Sequence, residues 1–217
     1  MLFHKLLPCV DRFTYLTGSI IGSMALLLVL NPQSAIAEQT AVDPHAHHQH
    51  MMQQTKSIKR TAASYTIPDV TLVNQDKKKV SLPELLDSDQ PVMLNFIFTS
   101  CTAICPAMSA TFASVQKKLG KDSEKLRMVS ISIDPEYDTP GALNDYAKRF
   151  KAGPQWEFLT GSLDDSVTVQ KAFDSDRGDK MNHAPMTLMR ATRDSKWVRY
   201  EGFATADELV KEARSML

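Results

Sequence analysis

The sequence predicts a single α/β domain in which helices cover a mixed β-sheet. Its strongest signal is a nearly continuous apolar run at residues 92–98, which is short enough to be a buried central strand. A helical spacing of apolar residues follows that run, and two short strand-like segments at residues 186–191 and 196–200 precede a helix-start signal. With 217 residues and 43% hydrophobic content, the chain can form one sizeable core but not comfortably two.

The first elements of the domain, which we expect to span residues 65–217, are a hairpin, a strand and a helix. Residues 70–73 and 79–82 flank a polar turn and should pair as a leading β-hairpin. After the 92–98 strand, the helix is expected to end at Gly120, because glycine is favoured just past a helix C-terminus. The apolar face of that helix is formed by Met108, Phe112, Val115 and Leu119.

A strand and two helices are expected in the middle of the domain. Residues 127–133 alternate apolar side chains with serine and predict a strand. Thr139 is followed by a proline, which is typical of an N-cap and a first helical residue, so a helix should run from there to about residue 151. Residues 164–173 carry a weaker helical pattern.

The C-terminal part of the chain predicts a second hairpin and a final helix. Residues 186–191 and 196–200 should pair across a polar turn. Thr205 and Glu208 have the spacing of a capping box, which marks the start of the last helix. A mixed sheet flanked by helices in this order is typical of thioredoxin-like folds.

The first 37 residues have the pattern of a signal peptide. Lys5 and Arg12 flank a polar start, an apolar run covers residues 14–30, and Ala-Ile-Ala at residues 35–37 suits a signal peptidase. The alternative is an uncleaved N-terminal anchor, because the apolar run is just long enough to span a membrane. Both interpretations place the domain in the periplasm or another extracytoplasmic compartment, and the membrane is a partner only if the leader is retained.

Residues 38–64 are polar and lack a hydrophobic period, so we interpret them as a flexible tether. Within this segment, residues 45–52 form what we call the His/Met tract. Its potential metal ligands are His45, His47, His48, His50, Met51 and Met52. Imidazoles and thioethers at this density can hold copper, zinc or nickel without a fold, which makes the histidines a candidate secondary metal site. The alternative is that the tract binds metals nonspecifically or not measurably.

The charge balance excludes two classes of partner. The formal net charge is zero and the isoelectric point is about 7.0. No basic surface is therefore expected that would attract nucleic acid or an anionic membrane. Partners have to be inferred from the chemistry of the site.

The cysteines point to function rather than to structural cross-linking. Cys9 belongs to the predicted leader, so Cys101 and Cys105 are the thiols left in the domain. A disulfide between residues four apart would close too small a loop to stabilise the fold much. Pro106 fits only in the first helical turn, which should place Cys105 at or next to the N-cap. We therefore expect the helix N-terminus to lower the pKa of Cys105 and to make it a better nucleophile and ligand.

A metal site can be assembled from this thiol pair and one histidine. Two thiolates and a neutral imidazole form a soft site that suits Cu(I) and is adequate for Cu(II). His183 is the one histidine that follows the His/Met tract, and it precedes the predicted 186–191 strand. In a thioredoxin-like sheet that strand lies beside the cysteine loop. The alternative is that His183 is a surface residue or a hydrogen-bonded structural residue.

Three segments of the chain resemble the Sco/SenC family. Residues 98–109 contain Cys-x3-Cys-Pro, residues 132–140 contain Asp-Pro-x-x-Asp-Thr-Pro, and residues 156–161 read Trp-Glu-Phe-Leu-Thr-Gly. The similarity extends from about Tyr65 to the C-terminus. Members of that family are thioredoxin-fold proteins that bind one copper ion through two cysteines and a downstream histidine. They serve assembly of the binuclear copper centre of cytochrome c oxidase.

Carried over by motif, the resemblance implies that Cys101, Cys105 and His183 are copper ligands. Asp134 and Asp138 match the acidic loop of the family, for which we expect a structural or ligand-supporting role. The family usually has aspartate immediately before its histidine, whereas this chain has Asn182 and so lacks a nearby negative charge.

Pro185 is the second departure that bears on function. It lies close to where thioredoxins keep a cis-proline beside their cysteines. A cis-proline at this position would favour disulfide exchange with an extended segment of a partner.

Two functions follow from these residues. The first is a copper chaperone that delivers its ion to a respiratory oxidase subunit or to another copper chaperone. The second is an enzyme, a thiol-disulfide oxidoreductase in which Cys101 and Cys105 form the catalytic redox pair and a thiol reductant regenerates them. Cys-x3-Cys is one residue longer than the usual redox spacing, which favours delivery. A peroxidase is a distant third, because no peroxide-activating arginine could be assigned near Cys101.

Overall fold

A computed structural model of the protein describes residues 58–217. The predicted leader, Cys9 and the His/Met tract all lie outside the described residues. Within residues 58–217, no helix combines the length and the apolar character needed to cross a membrane.

The described residues form one eight-stranded sheet with helices on both faces. The strands are β1 (Lys59–Ala63), β2 (Thr71–Asn74), β3 (Lys79–Ser81), β4 (Val92–Ile97), β5 (Arg127–Ser132), β6 (Trp156–Thr160), β7 (Met186–Arg190) and β8 (Trp197–Glu201). Their order in the sheet is β1-β8-β7-β4-β5-β6-β2-β3. Strands β4, β5 and β6 are parallel, and every other neighbouring pair is antiparallel. The mixed sheet flanked by helices is as predicted.

The α-helices are α1 (Leu82–Leu86), α2 (Ile104–Leu119), α3 (Pro140–Arg149), α4 (Leu163–Ala172) and α5 (Ala206–Met216). Helix α2 contacts both α5 and α3, the latter through a 3.0 Å hydrogen bond between the hydroxyls of Ser109 and Tyr146. Phe173, which follows α4, packs on the opposite face against Phe96. The fully buried aliphatic and aromatic side chains of β4 therefore lie between two helical layers.

Local sequence signals account for the helix ends. The Thr139 and Thr205 side chains each cap a helix N-terminus, and Thr205 and Glu208 form the predicted capping box. Gly120 ends α2 with a φ of 59°, which is the left-handed region that favours glycine.

Strand β1 corrects the predicted boundary of the domain. It lies within residues 38–64, where the sequence predicts a tether, and pairs with β8 from Lys59 opposite Glu201 to Ala63 opposite Trp197. Its hydrophobic period is weak because its side chains make polar contacts instead, such as the bidentate hydrogen bonds of Arg60 with Glu212. The fold therefore begins at about residue 58 rather than 65.

Strand β6 and helix α1 are two further elements that the sequence analysis did not predict. Strand β6 occupies a central place, parallel to β5 on one side and antiparallel to β2 on the other. The predicted hairpin of β2 and β3 forms, but β6 joins it to the main sheet. Helix α1 has only five residues, too few to produce a helical period, although its Ser81 N-cap and Pro83 are normal start signals.

Candidate metal centre

Sheet topology brings the predicted site residues to one end of the sheet. The loop with Cys101 follows the C-terminal end of β4, and Asp134 follows the same end of its parallel neighbour β5. Strand β7 is antiparallel to β4 and pairs Thr187 with Asn95, so the turn that precedes β7 lies beside the cysteine loop. His183 lies in that turn, as the predicted arrangement of neighbouring strands requires.

Backbone amides hold both cysteine sulfurs. Cys101 and Cys105 are free thiols. The Sγ of Cys101 accepts a 3.3 Å hydrogen bond from the amide of Cys105, and the Sγ of Cys105 accepts a 3.4 Å bond from the amide of Phe98. Helix α2 starts at Ile104 with Ala103 as its N-cap, so Cys105 is the second helical residue. It lies one position deeper in the helix than the sequence predicted.

The predicted pKa shift falls on the other cysteine. Burial raises the pKa of the Cys105 thiol far above its usual value, and the Phe98 amide offsets only part of that effect. Burial also opposes ionisation of Cys101, but hydrogen bonds from the amides of Cys105, Ala103 and Ile104 outweigh it and lower the pKa of Cys101. The prediction for Cys105 was wrong because the free amides at the start of α2 face the preceding loop rather than the helix's own second residue.

His183 is a buried, oriented imidazole. Its Nε2 lies 3.0 Å from the carbonyl oxygen of Phe96, and only 6% of the residue is exposed. Because a carbonyl can only accept, Nε2 carries the proton and Nδ1 keeps the lone pair that a metal needs. Burial lowers the pKa of His183, which favours the neutral ring. The structure therefore gives this histidine both a hydrogen-bonded role and a nitrogen suited to ligation.

Phe98 lies between two of the three predicted ligands, Cys105 and His183. Its amide bonds to the Cys105 sulfur, and its ring packs edge-on against His183 with the ring centroids 6.5 Å apart. Among residues 58–217, no three His, Cys, Asp or Glu side chains are grouped closely enough to hold a metal ion. The structure thus brings Cys101 and Cys105 together and places His183 at the same strand end without completing a three-ligand cluster. The full ligand set stays a prediction.

Asp138 fixes the base of the cysteine loop. Its buried carboxylate accepts hydrogen bonds from the amide and hydroxyl of Thr99 and from the hydroxyl of Ser132. Thr99 precedes the cysteine loop and Ser132 ends β5, so one carboxylate joins the ends of two parallel strands. This is a structural role, one of the two that the sequence analysis left open for the acidic loop.

Asp134 contacts a residue that the sequence analysis missed. Its Oδ2 lies 2.6 Å from Nζ of Lys180, and the ammonium group also lies over the rings of Tyr137 and Phe98, at 4.8 and 5.8 Å from their centroids. Lys180 starts the short 3₁₀ turn that leads into His183. A cation three residues before the histidine, opposite an acidic loop, was the available signal.

The two departures from the family pattern lie on either side of His183. Asn182 has an exposed side chain, so the missing negative charge would have been at the surface. The carbonyl of Pro185 accepts a 2.9 Å hydrogen bond from the amide of Gly202, which fixes the entry into β7 against the end of β8.

Comparison with known proteins supports the resemblance to the Sco/SenC family. The family model described as SCO1/SenC matches residues 58–217. The SCO1 protein homolog of Bacillus subtilis (strain 168) is 39% identical over 99 residues, which cover 45% of this chain and 50% of that protein. The chain thus matches about half the length of that relative.

Solved structures agree with the fold. BsSco, described as a member of the Sco family of cytochrome c oxidase assembly proteins with a disulfide switch, is 30% identical with a TM-score of 0.61. The match covers 72% of this chain and 95% of that one. Copper-bound ScoI of Bradyrhizobium japonicum has a TM-score of 0.59 over 71% of this chain and 100% of its own, but at 24% identity it supports the fold alone. The Cys-x3-Cys-Pro motif follows β4, and the Asp-Pro-x-x-Asp-Thr-Pro motif follows the same end of its parallel neighbour β5. Because these motifs lie together and the family model matches every described residue, the chain belongs to the SCO1/SenC family.

Proposed function

We propose that this protein binds one copper ion through the sulfurs of Cys101 and Cys105 and Nδ1 of His183, and delivers it for assembly of the binuclear copper centre of cytochrome c oxidase. The observation that carries the proposal is the pair of free thiols joined by the 3.3 Å bond from the Cys105 amide to the Cys101 sulfur. BsSco, described as a member of the Sco family of cytochrome c oxidase assembly proteins, supports it.

The chemistry of the donor set fits copper. Two thiolates and one imidazole are soft ligands that bind Cu(I) well and also accept Cu(II). Burial keeps the Cys105 thiol protonated, because no positive charge stabilises its thiolate. A bound copper ion would supply that charge, so binding has to release the thiol proton. Since three ligands are not grouped among the described residues, binding also has to bring the His183 turn and the cysteine loop closer together.

A second function, thiol-disulfide oxidoreductase, is favoured by the contrast between the two thiols. Cys101 is partly exposed with a lowered pKa, whereas Cys105 is fully buried with a raised pKa. A Cys101 thiolate would attack a partner's disulfide and release one of the partner's thiolates. Cys105 would then lose its proton, displace the partner's second sulfur and leave a Cys101–Cys105 disulfide. A thiol reductant would return both cysteines to thiols.

We place both activities outside the cytoplasm, in the periplasm or an equivalent compartment, because the first 37 residues have the pattern of a signal peptide or anchor. The copper acceptor would be a respiratory oxidase subunit or another copper chaperone. Mass spectrometry of the mature protein tests this proposal. A mature N-terminus at Glu38 would support cleavage, and a chain found in the cytoplasm with Met1 retained would overturn export.

The experiment that separates the two functions uses His183→Ala. We expect anaerobic titration with Cu(I) to give one tightly bound copper in the reduced protein, and weaker binding in Cys101→Ala, Cys105→Ala and His183→Ala. Loss of a thiolate should weaken binding more than loss of the imidazole. Thr102→Ala, an exposed change in the same loop, is the matched control.

Disulfide exchange does not need the imidazole, so His183→Ala should still reduce a model disulfide at the normal rate. Unchanged copper affinity in His183→Ala would remove this residue from the ligand set. Unchanged affinity in both cysteine variants would refute the copper site.

A further inference from the structure

Exposed apolar side chains are concentrated at the end of the sheet where the thiols lie. Among residues 58–217, five large apolar side chains are exposed, and one of them, Leu217, lies just after α5. The other four, which we call the apolar set, are Tyr137, Leu163, Met181 and Phe203. Residues 137 and 163 follow β5 and β6, which run parallel to β4. Residues 181 and 203 lie before β7 and after β8, whose start and end meet at the same side.

A cavity connects part of the apolar set to the His183 turn. It has a volume of about 80 Å³, and its lining includes Leu163, Lys180 and His183. Lys180 directly precedes Met181 and holds its ammonium group 4.8 Å from the centroid of the Tyr137 ring. Three members of the set therefore lie around Lys180.

A second cavity extends this surface to Phe203. It has a volume of about 150 Å³ and lies between residues 184–186, which follow the His183 turn, and the end of β8 at Gly202. Arg177 lines both cavities, and Phe203 follows Gly202 directly. The apolar set therefore lies along one surface that crosses the turn before β7.

Cys101 is the predicted ligand that a partner can reach from this surface. Cys105 is fully buried and His183 is 6% exposed, whereas Cys101 is partly exposed. A partner that exchanges a copper ion or a disulfide bond therefore has to bring its own sulfur or nitrogen to Cys101 first. Its surface then covers the side chains around that thiol. An apolar centre with polar surroundings is typical of protein–protein interfaces.

The charges beside the apolar set determine what kind of partner fits. Three exposed carboxylates lie within two residues of a member of the set and make no ion pair in the described part of the chain: Glu136, Asp164 and Asp179. Arg177 is exposed too, but the charge of Lys180 is balanced by Asp134. Negative charge therefore predominates around the apolar set.

This charge pattern disfavours two other occupants. A second copy of the chain would bring the same carboxylates against each other, and an anionic membrane would be repelled in the same way. A protein with lysine or arginine around an apolar centre would instead be attracted, and the opposite charges would accelerate its approach.

We propose that the apolar set and its carboxylates dock a copper-exchanging protein whose own metal ligands lie in an apolar surface with a basic rim. The proposal rests on the copper-binding function proposed above and adds the surface and the charge by which the partner is recognised. Docking brings the partner's ligand atom to the partly exposed Cys101, and exchange then proceeds to the buried Cys105 and His183.

The test uses the reaction of Cys101 with activated peptides as a measure of docking. Two peptides of equal length each contain one cysteine between leucines, flanked by lysines in one peptide and by glutamates in the other. Each cysteine is activated as a mixed disulfide with thionitrobenzoate. The Cys101 thiolate attacks the peptide sulfur, forms a disulfide with it and releases coloured thionitrobenzoate, whose absorption gives the rate. Rates with the small neutral reagent dithiodipyridine report the thiol and the fold alone and are used to normalise the peptide rates.

The parent protein is the reduced, metal-free full chain with Cys9→Ser, so that the reacting thiols are those of the domain. The apolar variant adds Leu163→Ser, Met181→Ser and Phe203→Ser. Its matched control adds Leu217→Ser, which changes the exposed apolar residue outside the set.

The charge variant adds Glu136→Gln and Asp164→Asn to the parent. It keeps Asp179, whose carboxylate accepts a 2.8 Å hydrogen bond from the amide two residues later. Its matched control adds Glu124→Gln and Asp194→Asn, two exposed side chains at the opposite end of the sheet, before β5 and between β7 and β8.

We expect the lysine peptide to react with the parent about tenfold faster than the glutamate peptide at low ionic strength, and added salt to reduce the difference. The charge variant should lose most of this preference. The apolar variant should react with the lysine peptide about tenfold more slowly, because it has lost apolar contact area. Both controls should react like the parent.

Equal normalised rates of the parent and the apolar variant with the lysine peptide would overturn the docking surface, and a faster glutamate peptide would overturn its basic partner. A concentration-dependent dimer of the parent that is lost in the apolar variant, measured by analytical ultracentrifugation, would assign the surface to a second copy instead. The same proteins are titrated with Cu(I). Failure of all of them to bind copper would refute the copper site proposed above, while the peptide rates still decide the docking surface.

Discussion

Lys180 Nζ lies 2.6 Å from the carboxylate of Asp134 and so ties the turn that carries His183 to the loop that follows β5. The aspartate side chain is only 7% exposed and the lysine side chain 36%. In the ion pair of Lys148 with Asp145 on α3, by contrast, both side chains are exposed. A buried carboxylate that loses its partner costs more free energy than an exposed one, because water cannot replace the lost contact.

Lys180→Met should therefore destabilise the protein and loosen the His183 turn. We expect a lower free energy of unfolding, together with weaker copper binding. Urea unfolding and a competitive Cu(I) titration measure the two effects. Lys148→Met is the matched control, since its ion pair with Asp145 is 3.3 Å long and exposed on both sides. If both variants behave alike, the ion pair does not position the histidine.

The two thiols should differ in reactivity in the reduced, metal-free protein. Cys101 is partly exposed and its pKa is lowered, whereas burial raises the pKa of Cys105. Iodoacetamide should modify Cys101 about tenfold or more faster than Cys105 near pH 8. The rate at Cys101 should fall only as the pH drops through its lowered pKa, because a thiolate is the reacting species. Mass spectrometry of the digested protein reads both sites. Faster modification of Cys105 would contradict the orientation of the α2 amides.

Glu212 should make stability depend on pH in the acid range. Hydrogen bonds from Arg60 hold the pKa of this carboxyl below its ordinary value of 4.5, and Tyr200 adds a 2.6 Å bond. The folded pKa is the lower one, so the stabilisation is complete above the unfolded value and is lost as the pH falls through the folded value.

Glu212→Gln should cost about 1–2 kcal/mol at pH 7 and much less at pH 3. Thermal unfolding across this range provides the measurement. Glu124→Gln is the control, because the exposed Glu124 side chain makes no ion pair within residues 58–217. A constant difference between Glu212→Gln and the unchanged protein from pH 3 to pH 7 would refute the linkage.

Two glycines should respond to alanine in opposite directions. A Cβ at Gly161 would lie 2.7 Å from the Cδ2 of Leu72, which is fully buried, so Gly161→Ala should destabilise by about 1–3 kcal/mol. A Cβ at Gly141, in the first turn of α3, would meet nothing closer than 3.8 Å. Gly141→Ala should therefore be neutral or stabilise by up to about 1 kcal/mol. Chemical unfolding of both variants tests the contrast, and equal stabilities would refute it.

The parts of the fold that were predictable depend on neighbours in the sequence. Thr205 and Glu208, which lie three residues apart, form the capping box of the last helix. The apolar run at residues 92–98 identified β4, because a strand that is buried on both faces has a continuous apolar sequence. Strand β1 was not predicted, since its pairing with β8 depends on residues about 140 positions away and its side chains are polar. Strand β6 was not predicted either, because its five residues give too short an alternation to identify a strand.

The sequence indicated candidate site residues but not the electrostatics of the two thiols. Residue type and spacing indicated Cys101, Cys105 and His183, and sheet topology placed them at one strand end. Which sulfur the α2 amides face depends on how the loop before Ile104 folds, so the assignment of the lowered pKa to Cys105 failed. Lys180 was missed because its partner Asp134 lies 46 residues earlier in the chain and is paired only by the fold.

The outermost strands of the sheet have a consequence for self-association. Strands β1 and β3 form the two margins, each has five residues or fewer, and each begins with an exposed lysine, at Lys59 and Lys79. A strand from another copy that added to either margin would bring a second set of these charges against the first. A truncated protein that begins at Tyr65 would lack β1, and the edge of β8 would be left unpaired. Truncated protein should then aggregate through edge-to-edge pairing, even though its thiols and its histidine are intact.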